Sequence, residues 1–191
     1  MTVVQLAADT AEDLRALGGR LAGLLRAGDL VLLAGALGAG KTTLTQGIGA
    51  GLRVRGVVTS PTFVIARVHP STVGGPPLVH VDAYRLAGWD ELEDLDLEAA
   101  LEDAVTVVEW GTGLAEGLAD DRLEVTLERD VAAAAGGTES GPDGPRGAGG
   151  HGGDTADGAD APDPRRVVLR GIGRRWDGVD LTTLAALPPR E

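Results

Sequence analysis

None of the 191 residues is cysteine, which excludes disulfides, thiolate catalysis and Cys-ligated metal centres together. No apolar run approaches the ~18 residues that a membrane-spanning helix needs. Met1 to Leu6 also lacks a basic stretch leading into a long apolar one. The expected setting is therefore the cytoplasm, with no membrane contact. Cations are scarce: 17 Lys and Arg stand against 29 Asp and Glu, a formal net charge of −12. Phosphodiester affinity comes from Lys and Arg displacing counterions, so any nucleic acid is expected to be held by a partner. The three histidines, His69, His80 and His151, show no metal-ligand spacing and read as surface or strand-end residues. The length is that of one domain with a sizeable core.

What is present centres on Gly35-Ala36-Leu37-Gly38-Ala39-Gly40-Lys41-Thr42. It follows Leu30 to Ala34, apolar enough for a strand buried on both faces, and opens a helical segment, Thr43 to Leu52. That order of strand, glycine-rich loop and helix is what a phosphate-binding loop requires. Glycine at 35, 38 and 40 lets backbone N–H groups turn inward around phosphate oxygens. Lys41 is placed to reach the β- and γ-phosphates, and the Thr42 hydroxyl to ligate Mg²⁺.

Ahead of the loop, Thr2 to Leu6 reads as a strand. Asp9-Thr10 caps a helix expected from Ala11 to Ala27, with Leu14, Leu17, Leu21, Leu24 and Leu25 at helical spacing. Beyond it, Gly47, Gly49 and Gly51 are expected to weaken the end of the loop's helix. Ser60 precedes a proline, which keeps Thr59 to Phe63 extended and puts Thr62 either in a nucleotide-sensing position or simply in a strand.

Phe63 to Val68 and Leu78 to Val81 read as strands, the second delivering Asp82 in the manner of a Walker-B acid. The run from Trp89 to Asp103 is acidic and amphipathic, a solvated helix face or a docking face for a basic partner. Val105 to Val108 is a further buried strand, bringing Glu109 and Trp110 to the same sheet edge. Two acids, Asp82 and Glu109, suit one divalent ion and one attacking water, without showing which acid does which. Trp110 is either a nucleotide shield or core.

Arg122 to Arg129 alternates as an edge strand, and Arg165 to Arg170 is expected to pair with it. Between them, residues 132–164 hold no Val, Ile, Leu, Met, Phe, Tyr or Trp and carry six acids against one arginine. Such a segment cannot bury enough apolar surface to offset its ordering entropy and reads as disordered. The organisation expected is a core over 1–130, that insertion over 131–164, and a last strand and tail over 165–191. A short helix is expected from Val179 to Leu187. The fold class expected is α/β, a P-loop NTPase three-layer sandwich with a mixed, mostly parallel central sheet.

Taken together, Lys41-Thr42, Ser60-Pro61-Thr62-Phe63, Asp82-Ala83-Tyr84-Arg85 and Glu109-Trp110, in that order, resemble the TsaE (YjeE) family of bacterial ATPases over about residues 1–130 and 165–172. The resemblance implies a weak Mg²⁺-dependent ATPase that docks on a TsaD–TsaB heterodimer. That assembly makes N6-threonylcarbamoyladenosine at position 37 of tRNAs reading ANN codons, and tRNA is reached only through the partners. By position, it implies ATP binding by Gly38, Ala39, Gly40, Lys41, Thr42 and Thr43, and Mg²⁺ coordination by Thr42 and Glu109. Thr62 becomes the switch threonine and Asp82 the Walker-B acid. Thr10 and Arg166 match family positions near the nucleotide. Two features depart from the family: Ala36 stands where an acid is usual, and the 132–164 insertion is unusual. Two other readings stay open, a small-molecule kinase on the same fold and a non-catalytic nucleotide-sensing module. The 132–164 stretch, with its single arginine, is a poor phosphate-clamping lid for a kinase. The chain also lacks asparagine, so the Asn-Lys-x-Asp guanine reader of GTPases is absent.

Overall fold

The computed structural model describes residues 2–95, 97, 101–129 and 163–185. Its strands are β1 (Thr2–Ala8), β2 (Leu30–Gly35), β3 (Ala66–His69), β4 (Leu78–Asp82), β5 (Val105–Glu109), β6 (Arg122–Arg129) and β7 (Arg165–Ile172). They form one sheet in the order β1-β7-β6-β2-β5-β4-β3. β6, β2, β5 and β4 run parallel, while β3, β7 and β1 pair antiparallel. This is the expected mixed sheet, parallel through its middle.

Alternate residues of β2 build the two layers above and below. Val31 and Leu33 pack with helices α1 (Ala11–Ala22) and α2 (Lys41–Gly51), whereas Leu30 and Leu32 pack with Leu92, Leu97, Leu101, Ala104 and Ala115. Each face is thus closed by its own apolar cluster, and the strand between them is apolar on both sides. On the second face a short helix, α3 (Trp89–Glu93), forms at the start of the expected acidic helix, and Leu97 and Leu101 are again helical. Leu92, Leu97 and Leu101 are buried there. Among the described residues no helix is long and apolar enough to cross a membrane.

Several expectations change. α1 stops at Ala22, because the N–H of Gly23 turns back to Arg20 O (3.0 Å), and Leu24 and Leu25 pack from the turn that follows. α2 is not weakened by its glycines but seated by them. A Cβ on Gly47 would strike the backbone of Arg15, and one on Gly18 the backbone of Leu44 and Ile48, so α1 and α2 touch main chain to main chain. β6 is interior, between β2 and β7, rather than an edge. Its alternation reports one face on the core and one toward solvent, which occurs inside a sheet as readily as at its rim.

The strand expected from Phe63 begins at Ala66. Thr62, Phe63 and Val64 form a turn instead, closed by the N–H groups of Val64 and Ile65 on Pro61 O (2.8 and 2.7 Å). A proline restrains the residue before it, and here the residues after it turn. The described residues end in a 3-10 turn, Leu181–Ala185, that buries Leu181 and Leu184, and the rest of the helix expected to Leu187 lies outside them. Arg175 anchors this end through paired bonds to the buried Asp29 carboxylate, both 2.8 Å. The insertion read as disordered lies outside the described residues from 130 to 162. Its last acid, Asp163, is held between Arg129 (2.6 Å) and Arg165 (2.7 Å).

Candidate active site

β2 ends at Gly35 and α2 begins at Lys41, leaving five residues to turn the chain. Gly40 carries a φ of 103° and Gly35 one of 143°, angles that a side chain resists. A Cβ at Gly40 would also press within 2.5 Å of Leu14 Cδ1, so the loop is packed from beneath by α1. Ala39 N–H donates to Ala36 O at 3.1 Å and closes the turn. The loop thus has the shape of an anion-binding nest at the head of an eleven-residue helix.

Lys41 is only 4 % exposed. Its ammonium donates to the loop's own carbonyls, Gly35 O at 2.8 Å and Ala36 O at 3.0 Å, and lies 3.8 Å from the centre of the Trp110 ring. Burial lowers its pKa, against the raising influence of Glu109 and Asp82. A desolvated ammonium satisfied only by neutral groups is primed for an anion that brings full charge. Trp110, at φ 62° with Tyr84 5.1 Å away, roofs the lysine.

Asp82 and Glu109 close β4 and β5 and stand opposite each other in the parallel register. They are 4 % and 3 % exposed, and among the described residues no Lys or Arg nitrogen pairs with either. Glu109 Oε1 accepts from the Thr42 hydroxyl at 2.8 Å and faces His80 Nε2 at 2.8 Å. Asp82 Oδ2 accepts from Thr62 (2.6 Å) and Ser60 (3.2 Å), and its Oδ1 accepts from Tyr84 N–H (3.1 Å). Lys41, Thr42, Thr62, Asp82, Glu109 and Trp110 are therefore linked across one edge of the sheet.

No cluster of three or more His, Cys, Asp and Glu able to hold a metal occurs among the described residues. A magnesium ion fits all the same. It takes oxygen donors, one or two carboxylates with phosphate and water completing the shell, and Thr42, Glu109 and Asp82 offer that set.

The remaining expected residues are more peripheral. Gly38 has a φ of 76°, with Arg129 Nη1 3.8 Å from where its Cβ would lie, and Thr43 is half-buried in the first turn of α2. Thr10 caps α1, its hydroxyl accepting from Asp13 N–H at 3.1 Å while Asp13 Oδ2 accepts from Thr10 N–H at 3.0 Å. Arg166 does not face the loop. It lies on the outer side of β7, 58 % exposed and 3.7 Å from Glu128. Its neighbour Arg165 is buried and donates to Ala39 O at 2.8 Å, because successive strand residues point to opposite faces.

Three residues of the constellation go unread in the sequence. Ser60 appears there as the residue before a proline and as part of the Ser60-Pro61-Thr62 block, with no role of its own, and Arg165 only as a strand residue. His80 is neither at the surface nor at a strand end: it is fully buried in mid-strand, against Glu109. The signal available was parity, since Leu78, His80 and Asp82 must share one face of β4.

A family model described as "Threonylcarbamoyl adenosine biosynthesis protein TsaE" matches residues 8–135. The TsaE protein of Streptomyces coelicolor is 56% identical over 173 residues, 90% of this chain and 99% of that one. The TsaE protein of Mycobacterium tuberculosis is 54% identical over 125 residues, 62% of this chain and 74% of that one. The crystal structure of Bacillus subtilis YdiB superposes with a TM-score of 0.62 at 26% sequence identity, covering 92% of this chain and 90% of that one. With the glycine loop, the Thr42–Glu109 contact and these matches in agreement, the chain belongs to the TsaE family.

Proposed function

We propose that this chain is a cytoplasmic, Mg²⁺-dependent ATPase serving the formation of N6-threonylcarbamoyladenosine at position 37 of tRNAs that read ANN codons. It works on a TsaD–TsaB heterodimer and reaches tRNA through those partners. Membership of a family described by that biosynthesis supports the pathway, and the net charge of −12 supports indirect contact with tRNA. The observation that carries the catalytic reading is the placing of two buried carboxylates side by side at the ends of β4 and β5. One of them is hydrogen-bonded to the loop threonine.

Roles follow from the partners of each acid. The loop N–H groups bind the phosphates, and Lys41 exchanges its bonds to Gly35 O and Ala36 O for phosphate oxygens. Thr42 donates its proton to Glu109, which leaves its oxygen lone pairs free to serve a metal. Thr42 and Glu109 would hold Mg²⁺, which would supply neutralisation of charge on the β- and γ-phosphates. Asp82 lies outside that pair. Its oxygens are bonded to Thr62 and Ser60, an arrangement fit to align a water for in-line attack. Trp110 and Tyr84 keep bulk water off Lys41.

The test is phosphate release from ATP by the purified full chain, alone and with its two partners. Turnover that rises with the partners and is lost in Lys41→Ala and Asp82→Ala supports the reading. Turnover retained in Asp82→Ala and Glu109→Ala would overturn the roles given to these acids, and ATP binding with no turnover, alone or with the partners, would make the chain a nucleotide sensor instead.

A further inference from the structure

We infer that His80 is a positioning residue, setting the orientation of the Glu109 carboxylate that the proposed metal site depends on. The inference rests on that reading and deepens it. His80 sits at the centre of β4, whose five residues are all buried. In the register its neighbour on β5 is Val107, and Leu78 and Val105 precede the pair on the same face. Those three belong to the apolar cluster under α1 and α2. An imidazole in such surroundings loses its hydration, and His80 Nδ1 has no hydrogen-bond partner among the described residues. The one hydrogen bond that the ring makes among the described residues is Nε2 to Glu109 Oε1 at 2.8 Å.

That contact determines the proton's position. A carboxylate oxygen accepts, so Nε2 carries the hydrogen and Nδ1 keeps the lone pair. The opposite tautomer would bury an unsatisfied N–H and set two acceptors against each other. Glu109 Oε1 then receives two donors, Thr42 Oγ1 and His80 Nε2, both at 2.8 Å. Two donors from different elements, α2 and β4, fix both the torsion and the tilt of the carboxylate. Oε2 makes no hydrogen bond among the described residues and is the oxygen left to serve the metal shell. Oriented by Thr42 alone, Glu109 would keep rotational freedom about that single bond, and an outer partner that removes such freedom tunes metal affinity strongly.

The experiment uses the full chain. Two-bond ¹H–¹⁵N correlation of the ligand-free protein should report His80 as the Nε2–H tautomer, and an Nδ1–H tautomer would overturn the inference. ATP affinity is then measured by calorimetry with Mg²⁺ and with EDTA. His80→Leu should fold, bind metal-free ATP within about twofold of wild type, and lose about tenfold of the tightening that Mg²⁺ gives. His80→Gln, whose amide can restore an N–H near the Nε2 position, should recover most of that loss. Wild-type behaviour of His80→Leu, or a loss in His80→Gln equal to that in His80→Leu, would overturn the inference. If wild type itself shows no Mg²⁺ tightening, the metal reading fails, and the tautomer alone decides whether His80 directs Glu109.

Discussion

The two acids of the site are held in opposite ways. Glu109 is gripped by Thr42 on α2 and faced by His80 on β4, both regular elements seated in the core. Asp82 is gripped by Ser60 and Thr62, which stand on an irregular stretch next to Phe63, 86 % exposed. The same stretch ends at Ile65, a β-branched residue with a φ of 66°, which L side chains rarely adopt. Both carboxylates close core strands, but one is held by side chains of regular elements and the other by hydroxyls of an irregular loop. A frame is suited to a fixed metal, and a deformable segment to sensing whether the terminal phosphate is present.

The largest expected effect comes from breaking the frame's own acid. Glu109→Gln should lower ATP turnover by about 100-fold, measured as phosphate release with the partners present, because the metal's charge neutralisation is lost with its ligand. Next, Gly47→Ala should cost about 2 kcal/mol of stability by urea unfolding, since its Cβ meets the α1 backbone, which cannot step aside. A smaller effect is expected on the deformable side. Thr62→Val should slow turnover about tenfold while leaving ATP affinity within about twofold, which separates a switch from a binding residue. Equal losses in affinity from Thr62→Val and Glu109→Gln would erase the distinction.

The smallest effect concerns pH. Burial, reinforced by the charge of Arg67 and opposed by a backbone bond at Arg55, holds His69 below its ordinary value of 6.5. As pH falls, the unfolded chain takes up a proton that the folded chain refuses, so stability is lost on the acid side. His69→Gln should therefore lessen the fall in melting temperature between about pH 7.5 and about pH 5.5. An unchanged fall would contradict it.

Motif-borne features were legible because they are local. The glycine loop fixes its own geometry, and acids at the ends of apolar strands reach the sheet's carboxyl edge wherever the strands lie in order. What escaped depends on parity or on packing. Arg165 and Arg166 are adjacent in sequence, and one position of register decides which meets the loop. His80 interrupts an apolar run, a pattern equally compatible with a core histidine until Glu109 is placed beside it. The glycines of α2 signal a weak helix by propensity, and only the approach of α1 shows them to be contact points.

In the proposed function Thr42 and Glu109 form one metal clamp at the head of α2. The most direct measurement is calorimetric titration of ATP into wild type and Glu109→Gln, with Mg²⁺ and with EDTA. Mg²⁺ should tighten binding to wild type by about 100-fold and leave Glu109→Gln nearly unaffected. Equal tightening in both proteins would show that Glu109 does not hold the metal.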